Sequence, residues 1–280
     1  MNDSKSVKAL KKQMGAAIAM VCVAAIALGS STYAWFVSNN SVKATTTNIS
    51  AQSNSAYLVI DTKATSKDST SAATATDTTA VKLYPAQVVN GTTEGSYKFE
   101  SAYAAAAGKA LEKENTRFTV GTSGTAEEAV TNSYAHKDTF YIGTGGYDGQ
   151  FSNLKVDKVS VSAKDTQKKD LVNAMRVLVV CDDYWTVWEN GKEVTSVANG
   201  LNEDKSKTTS ANLVAKYADA KNKAIAASVS KDNDVTVDVY VFYDGADGEV
   251  NSDNLADLAD CGVTVTFTAT PTQPGNNTQA

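Results

Sequence analysis

From Val235 to Tyr243 an apolar residue stands at every second position: Val235, Val237, Val239, Val241 and Tyr243. A strand turns alternate side chains to opposite faces, so this run has one wholly apolar face that another layer must cover. Tyr240 and Phe242 make its far end apolar on both faces. Val263, Val265, Phe267 and Ala269 alternate in the same way with Thr264, Thr266 and Thr268, the pattern of a half-buried strand. The two strands are expected to pair.

The rest of the chain extends this β-rich reading. Met175 to Cys181 is apolar on both faces and reads as a central strand, followed closely by the aromatic run Tyr184 to Trp188 and a hairpin signal at Asn190-Gly191. Between Leu154 and Ala163 the apolar phase moves from Leu154 and Val156 to Val159 and Val161, which calls for a bulge. Shorter strands are expected at Tyr57 to Ile60, Val81 to Tyr84 and Thr139 to Ile142. Two helical insertions are read at 101–114 and 211–228, and a short helix capped by Ser252 runs through Leu255, Ala256 and Leu258. The segment 62–79 is almost wholly Thr, Ser, Ala, Lys and Asp and reads as a mobile surface loop; 271–280 reads as a flexible tail. Strand count and turn spacing favour an antiparallel β-sandwich over residues 35–270, one domain of ordinary size.

Residues 1–34 read as a signal peptide. Lys5, Lys8, Lys11 and Lys12 precede an uncharged apolar run from Met14 to Leu28, and Gly29 to Ala34 supply the small residues a peptidase cleft accepts. Cleavage between Ala34 and Trp35 fits this pattern, giving a secreted or cell-surface protein. If the segment is kept, residues 14–37 are long enough to anchor the chain in a membrane. Cys22 lies inside the apolar run, where a lipidated cysteine would have to close it. Beyond this segment, Cys181 and Cys261 permit a disulfide in an exported protein; two buried thiols are the other reading.

With 26 basic and 31 acidic residues the chain carries a net charge of −5, which argues against nucleic acid as a partner because phosphate contact needs a basic surface. No enzymatic constellation stands out. His136 is the single histidine, so a zinc-peptidase helix with two histidines one turn apart is impossible, and no Gly-x-Ser-x-Gly elbow occurs. His136 reads as an exposed polar residue. Asp244, Asp247 and Glu249, or Asp182 with Asp183, offer hard oxygens, but their spacing is incomplete for a calcium loop and they read as solvated turn acids. The glycine-rich stretch 143–149 has neither the lysine nor the following helix of a phosphate loop, and reads as a flexible connection between strands. No metal or cofactor is expected. Trp185 and Trp188, with Tyr184, are candidate stacking residues for a sugar. Trp185 and Val187 fall on one strand face and Tyr184, Thr186 and Trp188 on the other, which places one tryptophan in the core.

The junction Ser31-Thr32-Tyr33-Ala34-Trp35-Phe36-Val37-Ser38 resembles that of the TasA/camelysin type of exported bacterial matrix protein, with Gly29, Thr32, Tyr33, Ala34 and Phe36 at the corresponding positions. The likeness is confined to about forty residues. It implies cleavage by a SipW-type signal peptidase, a jelly-roll-like mature domain and, in fibre-forming members, polymerisation by donation of an N-terminal strand. Val42, Ala44 and Thr46 alternate with Lys43 and Thr45 and form the candidate donor strand, though the same segment can pair within its own subunit. Some relatives are described as peptidases; the single histidine departs from that pattern. The expectation is therefore a non-enzymatic, self-associating surface or matrix protein, with an adhesin for glycan or a surface protein as the alternative.

Overall fold

The computed structural model describes residues 42–44, 46–53, 58–63, 72–76, 81–91, 93, 95–101, 118–145, 148–163, 169–197, 211–212, 224–247, 250 and 261–272, together with Met14 and Met20. Two compact units divide the chain, Met1–Asn40 and Ser41–Ala280, and the architecture below is that of the second. No helix among the described residues is long and apolar enough to cross a membrane. The cleavage pair Ala34 and Trp35 lies outside the described residues, as does the 14–37 segment apart from Met14 and Met20.

The domain is mainly antiparallel β. One five-stranded sheet holds β16 (Ala226–Val229), β10 (Gln150–Ala163), β18 (Cys261–Thr272), β2 (Thr46–Ser53) and β4 (Ala72–Thr76), in that spatial order. A six-stranded sheet runs β13 (Lys192–Glu193), β12 (Tyr184–Glu189), β11 (Met175–Cys181), β17 (Val235–Tyr243), β9 (His136–Gly143) and β3 (Val59–Asp61). Smaller sheets are formed by β6 (Ala86–Asn90), β7 (Tyr97–Ser101) and β8 (Phe118–Thr119), by β1 (Val42–Ala44) with β5 (Val81–Leu83), and by β14 (Ser196–Val197) with β15 (Ala211–Asn212). Two short helices complete the described elements, α1 (Ala126–Thr131) and α2 (Lys169–Ala174).

The two large sheets face each other across one core. Val235, Val237, Val239 and Val241 of β17 meet Val263, Val265 and Phe267 of β18 in a single buried cluster. The expected pairing of these strands is therefore corrected: β17 bonds to β11 and β9, whereas β18 bonds to β10 and β2. Facing rather than pairing is what buries both apolar faces at once. The even-numbered residues explain the far end of β17. Leu178, Trp185, Val187, Tyr240 and Phe242 form a second core with Ala86, Val88 and Phe99 of the three-stranded sheet and with Ala126 and Ala129 of α1. The six-stranded sheet is thus covered on both sides.

Strand β10 keeps its apolar residues inward by two bulges. Its register with β18 shifts between Ser152 and Lys155 and again between Val156 and Lys158. Each extra residue reverses the phase, so Phe151, Leu154, Val159 and Val161 all reach the core. The second shift is the one the sequence implied; Asn153, at φ 56°, marks the first. The Asn190-Gly191 hairpin is present, with Glu189 opposite Lys192 and Gly191 at φ 75°. Its tip is docked on β10: Val161 N donates to Asn190 Oδ1 at 2.9 Å and Gly191 N donates to Val159 O at 2.8 Å.

Several expectations change. Strands β2 and β18 run parallel, a departure from an all-antiparallel sandwich. The segment 62–79 contains an edge strand, β4, paired with β2, and the helix expected over 211–228 is replaced at both ends by β15 and β16, the latter extending the sheet beside β10. Positions 213–223 lie outside the described residues, as do 102–114, the Ser252 helix and the tail beyond Thr272. Pro271 and Thr272 end β18 rather than starting the tail.

Helix α1 is fixed by a carboxylate. Glu128 is the third helical residue of a capping box with Thr125, and its two oxygens also accept from Thr122 N (3.0 Å), Thr122 Oγ1 (2.8 Å), Ser123 N (3.0 Å) and Ser123 Oγ (3.1 Å). The turn is so close that a Cβ on Gly121 would stand 2.6 Å from Glu128 Cδ. These donors, led by Thr122, hold the Glu128 carboxyl at about 2 against an ordinary 4.5. A depressed acid contributes stability that is complete above its unfolded value and disappears as pH falls through its folded value. An NMR titration is therefore expected to find the Glu128 carboxylate ionised at pH 3.5, and Glu128→Gln to remove the acid sensitivity of amide protection in residues 121–131 between about pH 4.5 and 2.

Candidate functional site

The alternation of β11 sends Met175, Val177, Val179 and Cys181 into the main core and turns Arg176 to the opposite face. Arg176 stands opposite Phe242 in the ladder with β17, where the second core opens into a crevice. Immediately after β17 the chain makes a tight turn: Asp244 N donates to Ala174 O at 2.9 Å, Gly245 N to Ala86 O at 3.0 Å and Asp247 N to Asp244 O at 2.9 Å. Ala246 N donates to Asp244 Oδ1 at 3.0 Å, the Asx geometry an aspartate brings to a turn. The turn is thereby stitched to α2 and β6 together.

Around the guanidinium three carboxylates converge. Arg176 Nη2 lies 3.2 Å from Asp244 Oδ2, 3.3 Å from Asp247 Oδ2 and 3.7 Å from Glu189 Oε2, while Nη1 donates to the carbonyls of Asn173 and Met175. Only 12% of the Arg176 side chain is exposed. Burial raises the Asp244 carboxyl above its ordinary value, and the neighbouring Arg176 opposes that rise without overcoming it. Beside this cluster is a cavity of about 120 Å³ lined by Gln87, Val88, Arg176, Val187, Val194, Val197, Phe242 and Asp244. Its lining combines the polar groups of Gln87, Arg176 and Asp244 with apolar side chains, and it is roomy enough to hold water. The described groups lining it include no nucleophile with an adjacent base.

The acidic turn is thus corrected: Asp244 and Asp247 are counter-ions of a largely buried arginine rather than solvated acids, and Glu249 lies outside the described residues. Among the described residues, no group of three or more His, Cys, Asp or Glu side chains is placed to hold a metal ion. His136 is also corrected, since it is mostly buried on β9, with Nε2 3.5 Å from Asp138 Oδ2. The glycine-rich stretch does connect β9 to β10, but a Cβ on Gly145 would meet Val59 Cγ1 at 2.7 Å, so that part of it is packed rather than loose.

Neither tryptophan is available for stacking. Trp185 is 4% exposed and donates from Nε1 to Gly95 O at 2.8 Å, with the Tyr97 ring 5.1 Å away. Trp188 is 8% exposed and belongs to the main core, where its Nε1 has no hydrogen-bond partner. The assignment of the two residues to opposite faces is right, but both faces are interior. Cys181 is a free, buried thiol that burial and then Asp182 push up to about 12, so the bridge to Cys261 is not made. Cys181 closes β11 in one sheet and Cys261 opens β18 in the other. Val42 and Ala44 pair with Leu83 and Val81 of β5, and Thr46 stands opposite Cys261, all within the same chain.

A second polar group lies on the same face of the six-stranded sheet. Asp238 accepts from Thr139 Oγ1 at 2.6 Å and pairs with Lys137 Nζ at 2.8 Å, and the same ammonium sits 5.3 Å from the centre of the Tyr240 ring. Sequence reasoning missed both this cluster and Arg176. No protein-family model matches the chain, nor does any curated protein or solved structure.

Proposed function

We propose that this chain is a non-enzymatic extracellular structural protein, a surface-associated or biofilm-matrix fibre subunit of the TasA/camelysin type, exported by residues 1–34 and cut between Ala34 and Trp35 by a SipW-type signal peptidase. The observation that supports self-association best is the placement of β2. Its neighbours in sequence, β1 and β3, belong to other sheets, yet β2 is inserted between β18 and β4 and sends Ile49 into the main core. A strand held by the sheet rather than by hairpin connections to it can be replaced by the same strand of another copy with every ladder bond remade. Val42 and Ala44 of β1 precede that strand directly and Thr46 opens it.

The test is assembly. The chain starting at Trp35 is expected to form oligomers or fibres as its concentration rises, followed by light scattering and electron microscopy. If it stays monomeric across pH and salt, even beside fresh precursor and signal peptidase, the fibre reading fails.

The adhesin reading no longer has the tryptophans to stand on. It rests on the Arg176 crevice, and saturable binding of a glycan or surface protein that is lost in Asp244→Asn would favour it.

A further inference from the structure

We propose that this domain bears tension, and that the parallel ladder between β2 and β18 is its mechanical clamp. The inference concerns the single chain whose own β2 fills the place beside β18.

It follows from where force enters and leaves. In chain order β2 is the first strand of the five-stranded sheet and β18 the last. The ladder begins with Thr46 opposite Cys261 and ends with Ser53 opposite Phe267. A pull on the N-terminal side reaches β2 at its Thr46 end. A pull on the C-terminal side reaches β18 at its Thr272 end. Because the strands are parallel, these are opposite ends of the ladder, and the two pulls act along the strands in opposite directions. The bonds of a parallel ladder are evenly spaced and slanted between the two strands, so a pull along the strands shears all of them together and they must fail together. Had β2 and β18 been antiparallel, both pulls would have met at one end and the bonds would have opened one after another.

Strand β18 is also held on its other edge. It pairs with β10 from Thr272 opposite Gln150 to Cys261 opposite Ala163. The two bulges of β10 resist sliding, because a shifted β18 would no longer match the positions where the extra residues sit. Val263, Val265 and Phe267 would have to leave the main core in the same movement. At the loaded end, Thr272 Oγ1 donates to Gln150 O at 2.8 Å. On the other side, β1 is a three-residue strand paired with β5; its release leaves the β2–β18 ladder to carry the load.

Single-molecule force spectroscopy on the full chain decides the matter through pulling geometry. One molecule carries handles at its two termini. A second carries them at the N-terminus and at position 260, next to Cys261, so that both pulls meet the ladder at the Thr46 end and unzip it. Forced unfolding reports the barrier along the pulled direction, and the terminal geometry is expected to rupture at about twice the force of the 260 geometry or more at one loading rate. Equal rupture forces would overturn the clamp. Urea midpoints of the two handled proteins are compared first; if the handle at Asp260 lowers the midpoint, Asp257 supplies the same geometry.

Discussion

Phe242→Ala is expected to cost about 3–5 kcal/mol, the range for removing a buried aromatic ring without collapse of the space it leaves. Phe242 is 1% exposed and meets Phe99 edge to face at 5.2 Å, which joins the six-stranded to the three-stranded sheet. Its strand neighbours Val241 and Tyr243 belong to the main core, so one side chain ties the second core to the first. A loss of this size is a large part of the roughly 5–15 kcal/mol that separates a folded domain from its unfolded chain. Urea unfolding should show the fall in midpoint, and hydrogen exchange should show residues 86–101 and 118–135 losing protection ahead of β18. A loss below about 1 kcal/mol would mean that the second core contributes little.

The second large effect is expected of Arg176→Ala. It leaves Asp244, Asp247 and Glu189 grouped without their shared cation, and breaking a largely buried pair costs about 3 kcal/mol or more because a charge is left uncompensated. The effect should depend on pH. The Asp244 carboxyl is already raised by burial, and Arg176 is the first influence that restrains it. Without the guanidinium it rises further. An acid raised on folding takes up a proton more readily in the folded state, so stability falls as pH rises through its folded value and returns as pH falls back towards the ordinary 3.8. The deficit of Arg176→Ala should therefore be largest at neutral pH and shrink at mildly acid pH, and adding Asp244→Asn should recover part of it. An identical deficit at both pH values would assign the role of Arg176 to the packing of its stem.

How far the sequence foretold this molecule differs from element to element. Alternation in 235–243 and 263–269 gave the strands and their faces, because the period of two is a property of the backbone itself. It could not give their neighbours, since an apolar face is satisfied equally by pairing in a sheet or by facing across a core. Tyr240 and Phe242 pointed to a second covered face, but the cover comes from residues 86–101 and 118–135, far away in sequence. The same cover buries Trp185 and removes the supposed sugar platform. The stretch 211–228 carries a helical stripe, yet its last residues became β16 because the edge of β10 offered a ladder. Helix α1 is only six residues long, too short for periodicity, although Thr125-x-x-Glu128 was a legible capping box. Arg176 was also visible: a cation inside an otherwise apolar run needs counter-charges, and the acids of the Asp244 turn, read separately, were those charges.

The docked hairpin has a chemical consequence. An asparagine followed by glycine is prone to lose ammonia when the next backbone nitrogen closes on the side-chain amide. Here that nitrogen, Gly191 N, donates to Val159 O, while the Asn190 amide oxygen accepts from Val161 N. Both partners of the ring closure are held by β10. Folding shields the labile peptide from its own ageing reaction, and an aspartate appearing at position 190 would record the time a molecule had spent unfolded.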